Sequence, residues 1–155
     1  MTIKDELLQR LDGSRDVMLA ALAAVPCETE IYPAWQIKHL LAHLAGWEEA
    51  TATSLRELRQ GEVYEIPAYR GIDDYNAHTV ETRENLQYDQ IYAEWEIARH
   101  ELKDALTELP LELYEGVHML PWGERASIES LVMVMVHHEL EHAADIRALH
   151  ETDTP

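Results

Sequence analysis

Two histidines one helical turn apart, His138 and His142, stand in the run HHELEHAADI. They interrupt an apolar series of Ile128, Leu131, Met135, then the two histidines, then Ile146 and Leu149. At about 100° per residue both lie within roughly 50° of the centre of that stripe, where the pattern calls for Leu or Ile. Rings four residues apart project from one side of a helix and can address one atom. A buried imidazole has a donor and an acceptor to satisfy, and desolvation and its neighbour both oppose protonation. A divalent metal resolves both requirements: it takes the neutral lone pairs and leaves the outer nitrogens to donate to carboxylates or carbonyls. A core pair bonded to backbone or to each other fits the same pattern, so a third ligand carries weight.

His39 and His43 offer one, again a turn apart, in HLLAHLAGWE. His43 flanks the apolar stripe beside Leu40 and Trp47, whereas His39 lies roughly 40° further towards solvent. A His43/His138/His142 site leaves positions open for water or substrate, as catalytic zinc sites do. Three imidazoles do not choose among Zn, Ni and Fe. His137 falls on the opposite side of its helix, and His78, His100, His118 and His150 show no such pairing. The same run spells H-E-x-x-H, which makes Glu139 a candidate catalytic base and raises a metalloprotease as the lesser alternative. Asp145 and Ala148 stand where the extended metzincin form requires Gly and His. A di-iron carboxylate bundle fails on its count of Glu-x-x-His pairs.

Around these ligands, Trp47 reads either as a pocket wall or as core, and Tyr75 and Asn76 either as substrate-binding groups or as helix capping. Glu48, Glu49 and Glu141 are candidate partners for the outer imidazole nitrogens. Cys27 stands alone with no activating base beside it.

Four apolar-periodic segments must position these groups. The first runs from about Thr2, paired with Asp5 in a capping box, to Ala24, and Pro26 stops it. The second follows Pro33 and reaches about Gln60, with Gly61 as its C-terminal cap. The third extends from about Asp74 to Leu109, broken between Asn85 and Asp89, and the fourth from an N-cap at Ser127 to His150. The links Glu62–Ile72 and Leu111–Ala126 read as loops, and no alternating strand pattern occurs. The expectation is an all-α fold: an antiparallel-type four-helix bundle with at least one long crossover. It would occupy residues 1–150 as one domain, with a short tail at 151–155. The LVMVMV run of the fourth segment is apolar around most of its circumference, so that helix is either central or shares a second apolar face with another subunit, and a homodimer is expected.

The chain has 155 residues and 46% hydrophobic content, enough for a core. Twelve Lys and Arg against 30 Asp and Glu give a net charge of -18. That balance argues against nucleic-acid and membrane-surface partners and leaves a small-molecule substrate. No stretch approaches a membrane span, and MTIKDELLQR lacks the apolar centre of a signal peptide, so a cytoplasmic location is expected.

The helix-two run LLAHLAGWE, the closing His-x3-His and four helices in about 150 residues resemble the DinB/YfiT-like superfamily. The resemblance implies an up-down-down-up bundle, commonly dimeric, in which His43, His138 and His142 bind a divalent metal. It also implies thiol-dependent transferase or isomerase activity on small molecules, with a low-molecular-weight thiol as cofactor, or a hydrolase. GWEEA, AYRGIDDYNAH and HHELEHAADI are similar to the ClbS/DfsB-type branch, which implies resistance to, or sequestration of, a reactive metabolite. The ending departs from the common DinB pattern, with Ala143, Ala144 and Asp145 where Arg-Gly-Gln is usual.

Overall fold

The computed structural model describes residues 1–67 and 72–152. The first four residues of the AYRGIDDYNAH stretch and the last three of the expected tail lie outside the described residues. Four long helices, α1 (Ile3–Ala23), α2 (Ile37–Arg59), α4 (Tyr88–Glu108) and α5 (Ile128–Thr152), form a bundle. A shorter α3 (Ile72–Glu81) lies in the link between α2 and α4.

Local chemistry sets the helix ends. Thr2 and Asp5 form the reciprocal capping box, and the Ser127 hydroxyl accepts from the Ser130 N–H at 3.1 Å. Gly61, at φ +82°, lets the Glu62 N–H reach back to the Glu57 carbonyl at 2.8 Å and close α2. The stripe Ile91, Trp95, Ala98, Leu102, Ala105 and Leu109 is buried as its period predicts. The third segment divides earlier than expected: α3 ends at Glu81 and α4 begins at Tyr88.

Cross-helix bonds give the direction of each helix. Glu48 meets Arg99, Arg56 meets Glu101 and Arg59 meets Glu108, so α2 and α4 run parallel. Lys4 reaches the Thr107 carbonyl and Lys103 pairs with Asp12, so α1 opposes α4. Leu7 and Leu11 share a core cluster with Ile128 and Leu131, and Met18 and Ala21 share another with Ala143 and Ile146, so α1 and α5 run parallel. The result is up-down-down-up. Parallel neighbours α2 and α4 require a crossover along the bundle, and the link carrying α3 supplies it. Where α3 crosses α2, a Cβ at Gly46 would stand 2.2 Å from Thr79 Cγ2, so only glycine permits the approach.

One feature departs from the sequence reading. Two-stranded antiparallel hairpins, β1 (Glu30–Tyr32) with β2 (Trp35–Gln36) and β3 (His118–Met119) with β4 (Arg125–Ala126), form within the loops. Strands of two or three residues are too short to show an alternating pattern. The β1–β2 turn holds Ala34 at φ 68°, a left-handed conformation that favours glycine, and its N–H donates to Glu30 Oε1 at 2.9 Å. Of the two readings of the LVMVMV run, the structure has the central one, since Leu131, Val132, Met135 and Val136 are buried and only Val134 of the run is exposed.

The core comprises two apolar clusters separated by a charged layer to which every long helix contributes. Arg99 of α4 donates to Glu48 of α2 and, at 3.1 Å, to Glu139 of α5. Arg15 of α1 donates to the same two carboxylates at 3.3 and 3.2 Å. Ser14 adds a bond to Glu139 at 3.0 Å, and the Arg15 guanidinium stacks 3.6 Å over the Trp95 ring. Glu139 is wholly buried and Glu48 is 2% exposed. Two acids and two guanidinium groups balance, and removing one strands a buried charge. Glu139→Ala is expected to cost about 3–5 kcal/mol in chemical denaturation; a loss under about 1 kcal/mol would mean the layer is not a coupled unit.

Candidate metal centre

On α5, His138 and Glu139 are neighbours and therefore point about 100° apart. Glu139 faces α1 and α4, which turns His138 and His142 towards α2. There they meet His43, whose Nε2 lies 2.8 Å from His138 Nε2. Ring centroids are 4.7 Å apart for His43 and His138, 4.6 Å for His138 and His142, and 5.5 Å for His43 and His142. One nitrogen from each ring lies within 4.8 Å of the others.

Burial holds all three rings neutral. Desolvation, with repulsion from the two neighbours, pushes His43 down to about 3, and burial next to His138 pushes His142 down to about 4. Burial lowers His138 as well. Neutral imidazoles that bring their nitrogens together are the donor set a borderline divalent ion such as zinc or nickel requires. His43 Nδ1 is buried without a hydrogen-bond partner, so the bond between the two Nε2 atoms leaves that ring incompletely satisfied. With one nitrogen of each ring within 4.8 Å of the others, the residues present fit a metal.

The surroundings include groups that spacing did not expose. The Tyr32 hydroxyl lies 2.7 Å from His142 Nδ1 and donates to Asp145. Burial, reinforced by Asp145, pushes the Tyr32 phenol above its usual range. Trp35 lies against the His43 ring at 5.5 Å. Tyr32 and Trp35 come from the β1–β2 hairpin, too short for a periodic signal; Tyr32 meets His142 110 residues along the chain, whereas Trp35 reaches His43 from just ahead of α2.

A cavity of about 660 Å³ opens beside the three histidines. Trp47, Trp122, Met135 and Val134 supply apolar wall, and Asn76, Glu124, His137 and Glu141 supply polar lining. Trp47 Nε1 donates to Asn76 Oδ1 at 2.6 Å, which leaves the Asn76 amide NH2 as a donor.

The expected site residues do not all meet at this cavity. His43, His138, His142, Trp47 and Asn76 do. Tyr75 sits behind Trp47, ring centroids 4.8 Å apart, with its hydroxyl spent on the Gly46 carbonyl at 2.9 Å. Glu139 is no base for this site, because its oxygens bond Ser14, Arg15 and Arg99 in the charged layer. Glu48 joins the same layer and Glu49 pairs with Arg83, so neither supports an imidazole. Exposed His137 lines the cavity despite its expected outward placement. His39 accepts from the Gln36 N–H at the start of α2, His118 bonds the Leu113 carbonyl, and the His150 side chain lies outside the described residues.

The family profile of the mycothiol maleylpyruvate isomerase N-terminal domain matches residues 27–147. Among solved structures, an uncharacterised protein from Escherichia coli UTI89 superposes with a TM-score of 0.79 at 14% identity, covering 99% of this chain and 95% of that one. The mycothiol-dependent maleylpyruvate isomerase gives 0.75 at 19% identity, covering 92% of this chain but 60% of that one. The colibactin self-resistance protein ClbS, solved in complex with a dsDNA, gives 0.78 at 12% identity and covers 96% and 95%. Identities this low carry the fold alone. No curated protein matches the sequence. The ClbS complex overturns the exclusion of nucleic-acid partners for this architecture. Net charge is a sum over the whole molecule, and binding depends on where charges lie. Among the described residues, no helix is long and apolar enough to cross a membrane.

The depressed imidazoles make a stability prediction for the metal-free protein. An unfolded histidine titrates near 6.5, so below that pH the unfolded chain binds protons the folded one refuses. Stability is full above about 6.5 and falls as pH drops towards the folded values of about 3 and 4. Between pH 7.5 and 5.5 the metal-free wild type should lose about 1 kcal/mol more than His43→Leu in urea denaturation. Equal losses would show that His43 titrates normally.

Proposed function

The chain belongs to the mycothiol maleylpyruvate isomerase N-terminal domain family, and from that premise we propose that it is a mononuclear metalloprotein acting on a small molecule. His43, His138 and His142 hold the ion. The supporting observation is the convergence of three neutral imidazoles, ligand atoms within 4.8 Å, at the wall of a cavity of about 660 Å³. A divalent ion there supplies Lewis acidity to an oxygen or sulfur of the reacting molecule.

The chain's own groups do the rest. Trp47, Trp122 and Met135 bury the apolar part of the substrate and displace water from the histidines. The Asn76 amide donates to a carbonyl or hydroxyl, its orientation set by Trp47. Glu141 and His137 line the cavity and take up or deliver protons there. Within this reading the chemistry is transfer, isomerisation or hydrolysis, with a low-molecular-weight thiol as cofactor in the first two.

A second reading has its own support. The chain spans about 60% of the isomerase but 95% of ClbS. A self-resistance role, in which the same cavity captures or hydrolyses a reactive metabolite, draws its support from that match over nearly the whole of ClbS.

Two experiments divide these readings. Protein purified without chelator should carry near-stoichiometric first-row metal, and chelation should lower its melting temperature by several degrees. His138→Ala should abolish both the metal content and the shift; a metal-free wild type with an unchanged melting curve would remove the metalloprotein reading. Separately, expression in cells challenged with a DNA-alkylating metabolite should raise survival under the resistance reading. Survival lost in His138→Ala assigns protection to the metal site, and survival unchanged by expression rejects that role.

A further inference from the structure

The hydrogen bonds around His142 form a directed chain. A phenol carries one proton, and the Tyr32 hydroxyl faces two groups, the Asp145 carboxylate and His142 Nδ1. A carboxylate only accepts, so the phenol proton goes to Asp145. The phenol oxygen is then an acceptor, and the contact of 2.7 Å to His142 Nδ1 is a bond only if that nitrogen carries hydrogen. With the proton on Nδ1, the neutral ring has its lone pair on Nε2.

The hairpin is built to hold this chain in place. Tyr32 pairs with Trp35 across β1 and β2, and their rings pack edge to face at 6.3 Å. Trp35 in turn rests on His43 at 5.5 Å, and Tyr32 lies edge-on to His142 at 5.7 Å. One small hairpin therefore touches a histidine on each of the two helices that supply the triad.

We propose that Tyr32 and Asp145 are positioning residues that lock His142 as its Nδ1–H tautomer, leaving Nε2 bare towards His43 and His138. The consequence for metal affinity rests on the three-histidine reading above; the tautomer lock does not. The other tautomer would place hydrogen on Nε2 and set two lone pairs, on His142 Nδ1 and the Tyr32 oxygen, against each other.

The test uses the full chain labelled with 15N-histidine and freed of metal. Long-range proton–nitrogen spectra at neutral pH read the tautomer of each ring, assigned through His142→Gln. His142 should show a protonated Nδ1 and a bare Nε2. In Tyr32→Phe that ring should shift to a mixture or to Nε2–H, while Tyr88→Phe, remote from the triad, leaves it unchanged. Zinc titrated against a competing chelator should bind Tyr32→Phe about 10–100-fold more weakly than wild type. Asp145→Asn gives the second reading: its amide can donate to the phenol oxygen and reverse the chain, so the tautomer should move there too. A wild-type His142 with hydrogen on Nε2, or a Tyr32→Phe protein with unchanged tautomer, overturns the proposal. Should the spectra behave as expected while the wild type takes up no zinc, the lock stands and the metal reading falls.

Discussion

The structure turns on a layer of four charges in the middle of the bundle, Arg15, Glu48, Arg99 and Glu139. Each sits on a different long helix, and each is needed because the other three are out of water. Buried ion pairs add little net stability against apolar packing, but a broken one is costly. Their effect here is geometric. A helix carrying a buried Glu cannot rotate or slide by a residue without stranding that carboxylate, so α2 and α5 are held in azimuth and register.

That constraint places the histidines. On α5 the residue beside Glu139 is His138, and on α2 Glu48 lies five residues beyond His43. With both carboxylates drawn towards α1 and α4, the imidazoles emerge on the other side of the layer and meet there. The charged layer and the candidate metal centre are two faces of the same helical positions. The β1–β2 hairpin then closes the open side, with Tyr32 on His142 and Trp35 on His43. Its left-handed Ala34 is the strained position in a turn that brings the two aromatic rings together.

Family membership and activity separate cleanly in this chain. The fold is shared with an isomerase that is much longer and with a self-resistance protein of nearly equal length, and a shared scaffold does not select between their chemistries. The acidic composition carries a related lesson. A charge of -18 describes the far field of the molecule, yet Arg99 is consumed inside the core and Arg15 is mostly so, both paired with buried carboxylates. Bulk charge is a poor guide to what a given face of this fold binds.

Hydrophobic periodicity and punctuation are local properties, and they were enough to determine the long helices, their caps at Thr2, Gly61 and Ser127, and the break ahead of α4. The i, i+4 spacing placed His138 and His142 on one face, and the apolar flank of α2 singled out His43. Spacing along one helix could not say what each face meets. Glu139 within H-E-x-x-H looks like a base from sequence, because the partners that occupy it, Ser14, Arg15 and Arg99, are on other helices. Tyr75 looks like a ligand-binding group until the Gly46 carbonyl takes its hydroxyl. Tyr32, Trp35 and Trp122 belong to segments too short or irregular for any period, so their place beside the triad is visible only after the chain has folded. The sequence alone determined which side chains could act, since that depends on residue type and helical phase. Tertiary structure decided which of them come together beside one cavity, because desolvation and pairing arise between elements distant along the chain.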